Sequence, residues 1–261
     1  LENKRRRILL RVAYDGTNYH GWQIQPADNT IEAELNKALF QLTGEQIQVA
    51  GASRTDAGVH ARGNVAVFDT VSPIPPEKFS YALNRYLPPD IVVQQSQEVS
   101  LDFHPRHCVC QKTYQYHILN RSLPLPAYRN TAHFEHGTLD MEAMKKACSY
   151  FVGEHDFASF CAAGAQVQTT VRTIYDLEVS ANELGTDRIG ETQDQMIIIR
   201  VRGNGFLYNM VRIIAGTLLE VGKGRIPPEK IPEIIRACDR GQAGPTAPAK
   251  GLELVEIEYL Q

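Results

Sequence analysis

Apolar and polar residues alternate over residues 8–14, with Leu10, Val12 and Tyr14 on one side and Leu9, Arg11 and Ala13 on the other. That is a strand pattern, closed by the turn signal Asp15-Gly16-Thr17-Asn18. Ile31, Leu35, Ala38, Leu39 and Leu42 then recur at helical spacing. Asn29 and Thr30 offer N-caps to this helix, Glu32 completes a capping box with Asn29, and Gly44 ends it. Residues 47–50 and 64–68 read as two strands around a polar, Gly-bounded loop. Prolines 73, 75 and 76 break the chain, and a helix with Phe79, Leu83 and Leu87 on one face is expected over 77–87, stopped by Pro88-Pro89. Short strand material at 91–93 and Val99 completes a first unit ordered β, helix, β, loop, β, helix, β.

The outline then repeats. Residues 111–119 form a strand with Thr113, Gln115 and His117 on one face and Tyr114, Tyr116 and Ile118 on the other. Thr138 is expected to cap a helix carrying Met141, Met144, Cys148 and Phe151, closed by Gly153. Strands at 171–179 and 196–202 flank a polar loop, and Gly203-Asn204-Gly205 turns the chain into an apolar helix over 206–221. Pro227-Pro228 opens a further helix at 229–239, and 252–260 is a last alternating strand. The expected architecture is α+β: two tandem α+β units with antiparallel sheets, residues 1–105 and 106–261, with an active-site cleft between them.

Composition alters this picture little. The chain has 261 residues, 43% hydrophobic and 22% charged, enough for one large or two ordinary cores and unlike a disordered or fibrous protein. No apolar run reaches the roughly 20 residues that span a bilayer. The basic-then-apolar start at residues 4–10 meets Asp15 too soon, with no cleavage site, to read as a signal peptide. Five scattered cysteines, an odd number, favour a reducing, cytoplasmic setting. The net charge of −3 argues mildly against nucleic acid. However, residues 1–130 carry 14 Lys and Arg against 12 Asp and Glu, so the deficit lies in the second half.

The candidate chemistry centres on Gly51-Ala52-Ser53-Arg54-Thr55-Asp56-Ala57-Gly58-Val59-His60, where Arg54 precedes and His60 follows Asp56. A charged loop between strands can present a reactive side chain from a rigid frame, although Asp-Ala-Gly is also an ordinary turn former. Arg212 lies between Val211 and Ile213 in an apolar helix, so its guanidinium requires an anionic partner or a cleft, and Asp56 is available for that pairing. His104, His107, Cys108 and Cys110 have poor spacing for zinc, and ordinary strand cysteines are the simpler reading. His155-Asp156-Phe157 with Ser159 reads as a solvated loop rather than a triad.

Five motifs in order resemble the tRNA pseudouridine synthase A (TruA) family. They are Tyr14-Asp15-Gly16-Thr17 with Tyr19-His20-Gly21-Trp22-Gln23, Arg54-Thr55-Asp56-Ala57-Gly58-Val59-His60-Ala61, Lys112-Thr113-Tyr114-Gln115-Tyr116, Phe206-Leu207-Tyr208-Asn209-Met210-Val211-Arg212, and Ala247-Pro248-Ala249-Lys250-Gly251-Leu252. Ser53 stands where the family more often has Gly. The resemblance implies a pseudouridine synthase fold and an enzyme that breaks the C1′–N1 bond of a tRNA uridine, turns the base and rejoins it through C5, with no cofactor and no metal. It implies Asp56 as the catalytic carboxylate, with Tyr114 against the flipped uracil and Arg212 paired with Asp56. Leu252 would line the pocket, and Arg54 would help displace the target base from its stack. It further implies a homodimer binding the anticodon stem-loop of tRNA. Two rivals follow from the residues: a non-catalytic RNA-binding protein, and a glycosidase, which usually needs a second carboxylate that the central loop lacks.

Overall fold

The computed structural model describes residues 4–26, 29–164, 167–184 and 194–260. Its chain forms two compact units, Leu1–Cys110 with Leu254–Gln261, and Gln111–Glu253.

The first unit contains β1 (Arg6–Tyr14), α1 (Ile31–Thr43), the two-residue β2 (Ala50–Gly51), β3 (His60–Thr70), α2 (Phe79–Leu83) and β4 (Ile91–Val99). β1 runs antiparallel to β3 on one side and to β4 on the other, with Leu10 opposite Ala66 and Ser96. The alternation read from β1 sets its buried face: Ile8, Leu10 and Val12 are fully buried, as are Leu35 and Leu39 of α1. Phe79 of α2 meets Phe68 of β3 edge-on, centroids 5.3 Å apart.

The second unit contains β5 (Cys110–Asn120), β6 (His133–Glu135), α3 (Met141–Ser149), β7 (Gly153–Asp156), β8 (Val171–Glu183), β9 (Gln195–Gly203), α4 (Met210–Gly222) and α5 (Ile231–Ala237). β5, β9, β8 and β7 lie side by side in that order, each pair antiparallel. Tyr114, Tyr116 and Ile118 of β5 oppose Val201, Ile199 and Ile197 of β9, and all six are buried. α3 packs on α4 closely enough that a Cβ at Gly222 would sit 2.7 Å from Met144 Sδ. The last strand, β10 (Leu252–Tyr259), starts in the second unit and from Leu254 belongs to the first, where it lies beside β3.

The α+β class holds, but the expectation of antiparallel sheets needs correction, because β6 pairs parallel to β5 through Ile118, Leu119 and Asn120. Other differences are local and have local causes. The strand expected at 47–50 shrinks to β2 because the Val49 N–H donates to Asn36 Oδ1 of α1 instead of a ladder. α1 is capped by Thr30, whose hydroxyl accepts from the Ala33 N–H, while Glu32 accepts from the Ile24 N–H outside the helix. α2 stops at Leu83, where the bonds tighten to i−3 (Arg85 N–H to Ala82 O, Tyr86 N–H to Leu83 O). The chain goes on in turns as far as Leu87, while the Asn84 amide exchanges two hydrogen bonds with the Val93 backbone. Asp140, not Thr138, caps α3. α4 begins only at Met210, since Asn209 sits at φ 60°, ψ 7° and cannot continue a right-handed helix. Part of the expected polar loop before β9, residues 185–193, lies outside the described residues.

Candidate active site

Residues 52–59 form the loop between β2 and β3, and the segment after β1 is its bed. The Trp22 N–H donates to Thr55 O at 3.0 Å, the Gly58 N–H to Tyr19 O at 3.2 Å, and the Val59 N–H closes the turn onto Asp56 O at 3.1 Å. Contact this close requires glycine. A Cβ on Gly21, which has φ +89°, would stand 2.6 Å from Thr55 O, and one on Gly16 would stand 2.1 Å from Val59 O. The motif over 14–23 thus has a physical meaning: it is the surface on which the Asp56 loop is moulded.

Side chains fix the same loop from beneath. Tyr14 Oη and Thr55 Oγ1 are 2.7 Å apart, and the Asn64 amide donates to Tyr14 Oη at 3.1 Å and to Ser53 O at 2.9 Å. Asn64 is fully buried, and Ser53 and Thr55 are buried beside it. With Thr55 turned into this network, Asp56 is half-buried and Arg54 exposed. His60 serves as an anchor: its Nδ1 accepts from the Gly16 N–H at 3.1 Å and lies 3.1 Å from Asp15 Oδ1. Burial pushes the Asp15 carboxyl up, but hydrogen bonds from Thr17 and the neighbouring His60 outweigh it and hold the group below its ordinary range.

In the second unit, Tyr114 is buried on β5 with its ring edge-on to Phe206, centroids 5.3 Å apart. Arg212 lies in the first turn of α4. Its Nε donates to Ala247 O at 2.8 Å and its Nη1 to Asn209 Oδ1 at 2.7 Å, while the Ala247 N–H returns to Arg212 O at 3.1 Å. The 244–251 loop is pressed onto α4: a Cβ on Gly216 would fall 1.8 Å from Pro245 O, and the Gly244 N–H donates to Thr217 Oγ1. Tyr116 donates its hydroxyl to Pro248 O at 2.9 Å, and burial pushes its pKa well above the usual phenol range. Leu252, buried, follows directly where this loop enters β10.

Of the residues singled out in the sequence, Arg54 and Asp56 share one loop of the first unit, and Tyr114, Arg212 and Leu252 belong to the second. Tyr14, Asn64, Tyr116 and Asn209 hold these side chains or their loops, and sequence reasoning assigns them no role. Tyr14, Tyr116 and Asn209 lie inside the recognised motifs, so a signal exists, but it does not separate reacting groups from those that hold them. The triad arrangement around His155 falls away, since Ser159 is buried and donates to Ile234 O rather than to His155. The His104 and His107 rings stack with centroids 4.0 Å apart, and among the described residues no group of three or more His, Cys, Asp or Glu side chains could hold a metal ion.

The model of the tRNA pseudouridine synthase family matches residues 11–107 and 147–260. The chain is 48% identical to tRNA pseudouridine synthase A of Acetivibrio thermocellus and 51% identical to that of Ruminiclostridium cellulolyticum, each over 254 residues covering 97% of this chain and 100% of the relative. It is 48% identical to the enzyme of the same name from Brevibacillus brevis over the same coverage. The chain belongs to the tRNA pseudouridine synthase A (TruA) family. It is accordingly an isomerase, and the resemblance carried by the five motifs holds over nearly the whole chain. In TruA terms, both matched segments of the family model contain anchoring geometry just described: the bed of the Asp56 loop in the first, the clamp around Arg212 in the second. Among the described residues no helix is long and apolar enough to cross a membrane.

Proposed function

We propose that this TruA-family enzyme converts uridine to pseudouridine in the anticodon stem-loop of tRNA, with Asp56 as the catalytic carboxylate. The observation that supports Asp56 is its setting: a half-buried carboxylate on a loop whose backbone is fixed by Trp22, Tyr19 and the two close-packed glycines. A carboxylate held so firmly needs no reorganisation to meet the sugar of an extruded nucleotide. The C1′–N1 bond breaks, the uracil turns, and C5 bonds to C1′; the C5 proton leaves and N1 takes up a proton. Atoms and electrons balance within the nucleotide, so the isomerisation needs no cofactor.

Arg212 is the cation that pairs with Asp56 and keeps it ionised, Tyr114 packs against the uracil and accepts the C5 proton, and Leu252 forms an apolar wall. Arg54, exposed beside Asp56, helps displace the target base. The enzyme works as a homodimer in the cytoplasm, with the stem-loop read largely by shape and backbone.

Tritium release from unmodified tRNA carrying C5-tritiated uridine tests this reading. Wild-type protein should release tritium, and Asp56→Asn should release none while still binding tRNA. Release by both proteins would take the chemistry away from Asp56.

A further inference from the structure

We infer that Asn209 is a positioning residue for Arg212, and that the turn before α4 exists to place it there; the inference rests on the reading of Arg212 given above. A guanidinium on a flexible stem is useful in catalysis only if its plane is fixed. Two hydrogen bonds fix this one, from Nε to Ala247 O at 2.8 Å and from Nη1 to Asn209 Oδ1 at 2.7 Å. Two bonds from different nitrogens define the orientation of the planar group, so Arg212 is held by its own helix start on one side and by the 244–251 loop on the other.

The backbone at Asn209 is what lets its side chain reach. Its φ of 60° is one of two positive values at non-glycine residues among the described residues, the other being at Cys238. At most helix starts the capping residue is extended and its side chain accepts from the backbone of the first turn. Asn209 makes no such cap bond; its side-chain oxygen accepts from Arg212. The flanking residues hold the turn in this form. Leu207 is buried, Phe206 packs against Tyr114, and Tyr208 O accepts from the Ala162 N–H at 3.1 Å. The left-handed region costs most residues, and Asn is among the few that enter it readily. Glycine would enter it more easily still, but would bring no acceptor. The residue type therefore answers two demands at once, the φ and the oxygen.

Substitution separates the two. Asn209→Gly keeps the backbone and removes Oδ1, whereas Asn209→Asp keeps both an acceptor and tolerance of the φ. Tritium-release kinetics on full-length tRNA should show kcat of Asn209→Gly falling by roughly ten- to hundredfold, as expected for a misplaced catalytic partner. Its KM and melting temperature should stay near wild type, and Asn209→Asp should recover most of the rate. Undiminished kcat in Asn209→Gly beside an inactive Arg212→Gln would overturn the inference alone. A fall in melting temperature in Asn209→Gly, with no recovery in Asn209→Asp, would also overturn it, by making the role merely structural. Full activity of Arg212→Gln would instead remove the reading on which the inference rests.

Discussion

Gly21 shows how one missing side chain can govern a site it does not join. Its φ of +89° and the 2.6 Å that would separate a Cβ from Thr55 O are two independent objections to any other residue. Gly21→Ala must therefore push the Asp56 loop off its bed or strain the backbone. The expected outcome is a loss of roughly 1–3 kcal/mol in stability and a larger proportional loss of tritium release, read by urea denaturation and by single-turnover assay. A variant with wild-type turnover would show that the loop is positioned by other contacts. Tyr116→Phe acts at the same scale but through a polar group: it removes the shorter of two hydrogen bonds to Pro248 O, which keeps only the Gly251 N–H at 3.4 Å, with an expected cost of roughly 1 kcal/mol in urea unfolding. At this scale the sequence is legible for reacting groups. Asp56 and Arg212 stand out because charge is unusual between glycines or in an apolar helix. The holding residues do not stand out, because a Tyr on a strand or an Asn before a helix has many ordinary uses.

Among the elements, β1 and β3 are joined by charge as well as by their ladder. Arg7 lies opposite Asp69 and donates to it through Nε at 2.6 Å and Nη2 at 3.0 Å, and Arg5 adds a contact at 2.6 Å. The Arg7 hydrogen bond, outweighing burial, holds the Asp69 carboxyl below its ordinary range. A carboxylate with a lowered folded pKa stabilises the native state above its unfolded pKa, and that contribution disappears as pH falls through the folded value. Asp69→Asn should thus melt below wild type at neutral pH, with the gap closing as the pH is taken below the ordinary carboxylate range. A pH-independent gap would assign the effect to packing instead. Elements with strong periodicity, such as β1, β5 and α1, are legible because one buried face writes itself into the sequence. β6 and β7 are not, being too short to show a period. The shortening of β2 is hidden as well, since it depends on Asn36 of α1 reaching the Val49 N–H from another element.

For the whole molecule, the least legible feature is where the chain ends up. The alternation over 252–260 announces a strand but cannot name its neighbour, and from Leu254 onward that strand belongs to the unit built mostly from residues 1–110. Pairing between such remote segments is decided by tertiary packing, because nothing within a short window records it. The energetic consequence is specific. Leu254 and Ile257 are buried, at 0% and 1% exposure, so the first unit completes its core with side chains that arrive last in the sequence. Leu254→Ala removes buried methyl groups and leaves a cavity, which costs roughly 2–5 kcal/mol in comparable cores. Urea unfolding followed at Trp22, which lies in the first unit and is buried, should show its midpoint falling accordingly. The same substitution at exposed Leu260 should leave that midpoint within experimental error of wild type. A Trp22 transition that ignored Leu254→Ala would mean that the first unit draws little of its stability from the returning strand.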